Sequence, residues 1–382
     1  MMKERVAKLL MWLLTRFGSK NIIVFESFFG KQYSDSPKAI YEYLKTHQDE
    51  YKYQLIWSVK EGFEDQFKEN EIEYVRRGSL RWIILMARSS YWINNTRQPS
   101  WIIKGKGTKY IQTWHGTPLK KLGLDIEKVT MHGADTESYR LNFIKDTEKW
   151  DSLIAQNNYA AKVFKTAFNI PEEKLIVSGY PRNDYLLNYT EDEAANIKRK
   201  LGIIEGKKVI LYAPTWKDNK SLSKGAYEAF LPMNLEEMFA ELSDDYVLLI
   251  KWHYLIANEV EIPEKYKDFA FKVPQTIDIN QYFIISDMLI TDYSSVFFDY
   301  ANLKRKIIFY TPDWEEYENE VRGMYPEISR SLPGEQVSDT AELINAIKTE
   351  DTLNIDFVNK YCSYDDGHAT QRIVEQKITN KI

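Results

Sequence analysis

The sequence predicts an α/β protein made of two halves, each a mostly parallel sheet with helices between its strands. Short runs of β-branched and aromatic residues alternate with longer amphipathic stretches along most of the chain, the mark of strand–helix–strand units. The alternation restarts after a polar stretch at 188–200, so one series becomes two. At 382 residues the chain also exceeds what a single hydrophobic core normally supports.

The first twenty residues stand apart. Lys3, Arg5, Lys8, Arg16 and Lys20 oppose one acid, Glu4, while Val6, Leu9, Leu10, Leu13, Leu14 and Phe17 recur at helical spacing beside Trp12. This is a short basic amphipathic helix, suited to an anionic membrane surface or to packing on the protein's own body. A first strand is expected at 21–25. The helix after it, 36–44, has Ser36 as its cap and Pro37 in its first turn. Strands at 54–59, 91–94, 110–114 and 152–155 continue the series. A helix at 188–200 marks a domain junction. Strands at 208–212, 247–251, 269–273, 287–291 and 306–310 form the second series, and the tail from Asn354 is irregular and then helical.

Composition narrows the function. A net charge of -5 argues against a general nucleic-acid binder. Cys362 is the only cysteine, which excludes an intrachain disulfide or a cysteine-based zinc site. No run of eighteen apolar residues occurs, so no membrane-crossing helix is expected. No small-residue cleavage site follows the basic start, so no signal peptide is expected.

Open α/β sheets bind ligands at the carboxyl ends of their strands. His115 and His253 each close an expected strand, and Thr291-Asp-Tyr-Ser-Ser295 leads from a third into a helix. Three such strand ends suggest one cleft served by both halves. Ser294 and Ser295 at a helix start sit beside free backbone N–H groups, a phosphate site, or else simple helix caps. Thr215 and Lys217 leave another strand end after Pro214. Arg182 lies near the domain junction, and its guanidinium fork suits a diphosphate. There is no Walker motif, G-x-G-x-x-G or G-x-S-x-G elbow, and no His-x3-His near His115. His115 therefore reads as a general base or a charge stabiliser, with Gly116, Thr117 and Pro118 in a tight loop whose N–H groups face an anion.

Several segments together resemble the CDP-glycerol glycerophosphotransferase family, the teichoic acid primases and polymerases of Gram-positive bacteria. They are Gln112–Gly123 (QTWHGTPLKKLG), Gly179–Asp184 (GYPRND), Ala213–Trp216 (APTW), Ile290–Asp299 (ITDYSSVFFD), Ile307–Tyr317 (IIFYTPDWEEY) with Arg322-Gly323, and the early Phe25–Ser34 (FESFFGKQYS) and Asn94–Arg97 (NNTR). The resemblance runs over roughly residues 20–370. It departs at Tyr254, where the family usually has proline after its second histidine.

The resemblance implies a GT-B-like fold, two Rossmann-like domains facing across a cleft. The domains are then an amphipathic helix at 1–20, an acceptor-side domain at 21–190, a CDP-alditol-binding domain at 191–355 and a helical return at 356–382. It implies transfer of glycerol phosphate from CDP-glycerol to a hydroxyl of an undecaprenyl-diphosphate-linked disaccharide or polymer. CMP is released, and neither a cofactor nor a protein-bound metal is required. His115 and His253 are the catalytic candidates. The donor is expected against Trp114, Gly116, Thr117, Pro118, Arg182, Pro214, Thr215, Lys251, Ser294, Ser295 and Asp299, where Asp299 is otherwise a helix-surface charge. Lys104, Lys106, Lys109, Lys120 and Lys121 add a basic face toward an anionic bilayer, and the expected place is the cytoplasmic face of the cell membrane, as a peripheral protein. The rival readings are a CDP-ribitol donor, a nucleotide-sugar glycosyltransferase of the same fold, and a non-enzymatic lipid-carrier-binding partner.

Overall fold

The computed structural model describes residues 2–127, 135–215, 221–223, 226–228, 231–252, 256–258, 261–275, 277–314, 323–350 and 353–378. The chain folds as two compact units. The first takes 1–115, 137–185 and 364–382, and the second takes 116–136 and 186–363.

The first unit holds seven parallel strands: β1 (Lys20–Glu26), β2 (Gln54–Val59), β3 (Tyr74–Arg76), β4 (Ser89–Asn94), β5 (Lys109–Gln112), β6 (Ser152–Ala155) and β7 (Leu175–Val177). Their order is β3-β2-β1-β4-β5-β6-β7. The chain builds outward from β1 to one edge, then returns to β4 and builds to the other. The switch point therefore falls between β1 and β4, where Phe25 pairs with Ile93 and Glu26 with Asn94. Both faces of the sheet are covered, so the strands read as continuous apolar runs rather than alternating ones. One core cluster joins Phe25, Trp57 and Ile93 of the sheet to Ile40 and Leu44 of helix Asp35–Thr46 and Ile373 and Val374 of helix Ala369–Lys377.

The last residues are tied down by two carboxylates. Asp365 accepts from Gln156 Nε2 (2.6 Å), the Tyr180 N–H (2.8 Å) and Asn183 Nδ2 (2.9 Å). Asp184 accepts the N–H groups of Ala369 and Thr370 at the start of the last helix.

The amino-terminal helix, Met2–Leu14, packs on helix Leu80–Arg88. It buries Met11 and leaves Val6, Leu9, Trp12, Leu13 and, just beyond, Phe17 exposed, alongside Leu80 and Ile84 of its neighbour.

The second unit repeats the plan. Its strands are β8 (Lys208–Tyr212), β9 (Ser221–Ser223), β10 (Ala226–Glu228), β11 (Tyr246–Ile250), β12 (Ile256–Asn258), β13 (Ala270–Lys272), β14 (Met288–Thr291), β15 (Lys306–Tyr310) and β16 (Glu335–Val337). The main sheet, β13-β11-β8-β14-β15-β16, is again parallel, with its switch point between β8 and β14. β12, β10 and β9 form a small separate sheet. The segment after His115 belongs here because its backbone is held here. Lys120 bridges Met324, the Lys121 N–H donates to the Gly323 carbonyl, and Tyr325 donates to Leu119 O and Asp125 Oδ2.

The expected strands are all present within a residue or two, and β5 ends short of His115. That strand stops at Gln112, three residues before His115, because Trp114 turns into the left-handed region at φ +53°. The first long helix starts at Asp35 and is preceded by Ser34, so Ser36 lies inside it rather than at its cap. The expected helix at 188–200 is two pieces, Asp184–Asn188 and Glu191–Lys200, the second capped by the Thr190 side chain. β3, β7, β16 and the small sheet β9, β10 and β12 were not expected; each of these strands has three residues, too short to show a period. The contacts divide the chain differently from the expected boundaries: 116–136 joins the second unit, and the return to the first begins at Tyr364.

Candidate active site

At the switch point of the first sheet, the loops after β1, β4 and β5 meet. His115 lies in the third. Its Nδ1 is 2.7 Å from the Asn95 carbonyl oxygen, which only accepts, so Nδ1 carries the proton and Nε2 presents a lone pair. The Asn95 side chain is held from both ends. Its Oδ1 accepts the Phe28 N–H at 2.9 Å, and its Nδ2 donates to Asp35 Oδ2 at 2.9 Å. Asp35 Oδ1 in turn accepts from Arg182 Nη1 at 2.9 Å, and the guanidinium lies 4.3 Å over the Tyr180 ring. Trp114 stacks with the imidazole, ring centres 4.3 Å apart, and is itself packed by Phe168, Trp150 and Phe143 in tilted contacts.

The His115 side chain is solvent-exposed, yet its surroundings are dense enough that burial lowers its pKa from the usual imidazole value. A ring with one open edge and a packed back satisfies both. The Asn95 hydrogen bond and Asp35 pull the pKa up, and Arg182 and Arg97 push it down. The net direction is down, so the imidazole is neutral at pH 7 and able to take a proton.

At the switch point of the second unit, Asp292 follows β14 and Thr215 follows β8. The Thr215 N–H and hydroxyl both donate to Asp292 Oδ1 at 2.8 Å, and Thr291 Oγ1 donates to the Ala213 carbonyl. These bonds lock the two strand exits together. Burial raises the Asp292 pKa, opposed by the Thr215 bonds and by Lys120. Ser294 and Ser295 come next, both partly open. The helix they introduce, Val296–Tyr300, is five residues long, so its dipole is weaker than a full helix would supply. Ser295 makes no side-chain cap, and its hydroxyl has no hydrogen bond among the described residues. A Cβ placed on Gly116 would sit 2.6 Å from Ser295 Oγ, so this glycine lets the Gly116 loop come against that hydroxyl.

The expected site residues divide accordingly. His115, Trp114 and Arg182 fold in the first unit, and Gly116, Thr117, Pro118, Pro214, Thr215, Lys251, Ser294, Ser295 and Asp299 in the second. Trp114 is core, 9% exposed, and serves as a platform for the imidazole. Arg182 was expected on the donor diphosphate; here it is buried and neutralised by Asp35. The Thr215 proton is committed to Asp292. Lys251 is buried with its ammonium on the Pro274 carbonyl at 2.8 Å. Asp299 is 7% exposed, which removes the reading as a surface charge. His253, Trp216, Lys217 and Arg322 lie outside the described residues. No group of three or more metal-ligating side chains occurs among the described residues. Asn95, Asp35 and Asp292 carry no expected role, although each stands within or directly after a segment quoted above.

Comparison with known proteins now adds to this geometry. The family model for CDP-glycerol:poly(glycerophosphate) glycerophosphotransferases matches residues 9–378. The chain belongs to that family. It is 44% identical over 364 residues to a teichoic acid poly(glycerol phosphate) polymerase of Bacillus spizizenii, covering 94% of this chain and 92% of that one. It is 43% identical to a teichoic acid glycerol-phosphate transferase of Staphylococcus aureus, covering 95% and 94%. A solved structure of the wall teichoic acid polymerase TagF, soaked with CDPG, superposes with a TM-score of 0.87 at 38% identity, over 98% of this chain and 92% of that one. The glycerophosphotransferase fold is thus GT-B-like, built of two Rossmann-like units. A UDP-GlcNAc 2-epimerase of Neisseria meningitidis shares the fold alone, with a TM-score of 0.52 at 14% identity.

Proposed function

We propose that this glycerophosphotransferase takes glycerol phosphate from CDP-glycerol and adds it to a hydroxyl of an undecaprenyl-diphosphate-linked acceptor at the cytoplasmic face of the membrane. The near full-length likeness to glycerol phosphate polymerases and a transferase carries the reading. Identity falls to 33% and 30% for two glycerol-phosphate primases and to 29% for a ribitol-phosphate polymerase, which favours extension over priming and glycerol over ribitol.

In the proposed reaction the acceptor oxygen attacks the phosphorus that carries glycerol. The bond from that phosphorus to the CMP oxygen breaks, and the acceptor proton passes to His115 Nε2. The Nδ1 bond to Asn95 supports this role, since it fixes the tautomer whose Nε2 is basic. Ser294 and Ser295 keep hydroxyl protons uncommitted to other side chains and suit the phosphate of the leaving CMP. His253 is a second stabiliser of that charge. Gly116, Thr117, Pro118, Pro214, Thr215, Lys251 and Asp299 shape the donor side. The exposed apolar row Val6, Leu9, Trp12, Leu13 and Phe17, with basic residues between, suits an anionic bilayer surface. No described helix is long and apolar enough to cross a membrane.

The test is a donor screen with a synthetic lipid acceptor, following CMP or UDP release from CDP-glycerol, CDP-ribitol and UDP-sugars. Release of CMP from CDP-glycerol only in the presence of acceptor is the expected result. Turnover of a UDP-sugar, or of CDP-ribitol in preference, would sink the reading.

A further inference from the structure

Three segments quoted from the sequence, 25–34, 94–97 and 179–184, contribute nothing to the chemistry above beyond the Asn95 carbonyl on His115. In the fold they converge behind His115. The first brings Phe28 and leads into Asp35, the second brings Asn95, and the third brings Arg182. Four of the seven non-glycine residues with positive φ among the described residues are also here: Phe28, Phe29, Asp35 and Trp114. Such backbone costs free energy and persists where surrounding contacts hold it, commonly at functional sites. Asp35, at φ +65° and buried, aims one carboxylate oxygen at Asn95 and the other at Arg182. With Phe28 fixing the opposite end of the amide, the Asn95 side chain is held from both ends, which anchors the residue whose main-chain carbonyl accepts from His115 Nδ1.

We propose that Asp35 is a positioning residue for the transfer reaction: through Asn95 it holds His115 as the Nδ1–H tautomer, and Arg182 serves as its counter-charge rather than as a donor ligand. This rests on the reading of His115 as the base. The charged groups that bear on the imidazole are Asp35 from the start of helix Asp35–Thr46, Arg182 from the turn after β7, and Arg97 from the loop after β4. Asp35 favours the protonated ring and Arg182 opposes it, so their removal moves the titration in opposite directions. A residue that merely stiffens the loop would move neither.

The experiment compares Asp35→Asn and Arg182→Gln with the parent. Asparagine tolerates the left-handed backbone, so the first variant removes charge with little change of shape. Steady-state kinetics with CDP-glycerol should show kcat lowered about ten- to a hundredfold, with KM for CDP-glycerol little changed. NMR titration of the His115 ring, assigned against His115→Ala, should show a lower midpoint in Asp35→Asn and a higher one in Arg182→Gln. An unchanged kcat with both midpoints unmoved overturns the proposal, as does a loss confined to KM. If Asp35→Asn does not fold, Arg182→Gln gives the same two readouts. If His115→Ala retains turnover, the base assignment falls by itself. The opposed midpoints then still support the placement of Asp35, and their absence overturns it.

Discussion

His115 and Ser295 are the two side chains with the most direct claims on chemistry, and each makes a separate prediction. His115→Ala should keep the fold and lose about 10²–10⁴-fold in transfer rate. Near-normal turnover in the purified variant removes it as base. A base must be neutral to act, so kcat/KM should fall as pH drops through the His115 pKa. Burial sets that pKa low, so the acid limb should have its midpoint below the ordinary imidazole value of about 6.5. A limb centred well above that value contradicts the assignment. Ser295→Ala should weaken CDP-glycerol binding in calorimetry, and Gly116→Ala should do the same, because its methyl group would displace the Ser295 hydroxyl. Unchanged affinity in both variants would place the donor phosphate elsewhere.

Among the elements, helix Thr136–Thr147 carries an avoidable cost. Asp146 is buried near its end, and neither carboxylate oxygen has a hydrogen-bond partner among the described residues. Lys149 Nζ stands 3.9 Å away, and its charge and that of Arg97 offset burial only in part. The pKa is pushed up from 3.8 to about 6. The folded state thus holds this proton more tightly than the unfolded chain does. Its stabilising effect is present in acid and is lost as pH rises from below 4 through about 6. Asp146→Asn should therefore be more stable than the parent at pH 8, by on the order of 3 kcal/mol, and nearly equal to it at about pH 3. Equal denaturation midpoints at both pH values would show that the charge is already compensated.

The elements also show what the sequence discloses. Long β-branched runs such as 208–212 and 54–59 announce strands because burial on both faces demands them. Three-residue edge strands do not, since they bury little and have no period. His115 was visible as a histidine near a strand end. Its supports were not. Asn95 and Asp35 are 60 residues apart, and Asp35 and Arg182 are 147 apart. The sheet order, which puts β1 beside β4, brings Asn95 to Asp35, and packing of helix Asp35–Thr46 on the turn Pro181–Asn183 brings Arg182. Arg182 shows the same limit: a guanidinium's partner is set by the fold, and its ion pair with Asp35 is not legible from the sequence.

For the molecule as a whole, the amino-terminal helix has two faces with different tasks. Met11 packs inward while Leu9 and Phe17 point out, so deletion would confuse membrane contact with folding. Leu9→Gln combined with Phe17→Gln is the cleaner variant. It should float less with anionic liposomes at low salt and keep full activity on a short soluble acceptor. Undiminished flotation would shift the contact to the basic stretch from Lys104 to Lys121. At the other terminus, Asp365→Ala would leave the donors of Gln156, Tyr180 and Asn183 without their shared acceptor. At about 1–3 kcal/mol for each orphaned group, the first unit should melt earlier while the second keeps its own transition. A single unshifted transition would show that the tail is dispensable. That tail also bears on synthesis. The unit that opens the chain lacks its last helix until residues 364–378 leave the ribosome, whereas everything the second unit needs has emerged by residue 363. During translation the later unit is thus free to close its sheet first, which reverses the amino-to-carboxyl order usual for multidomain chains.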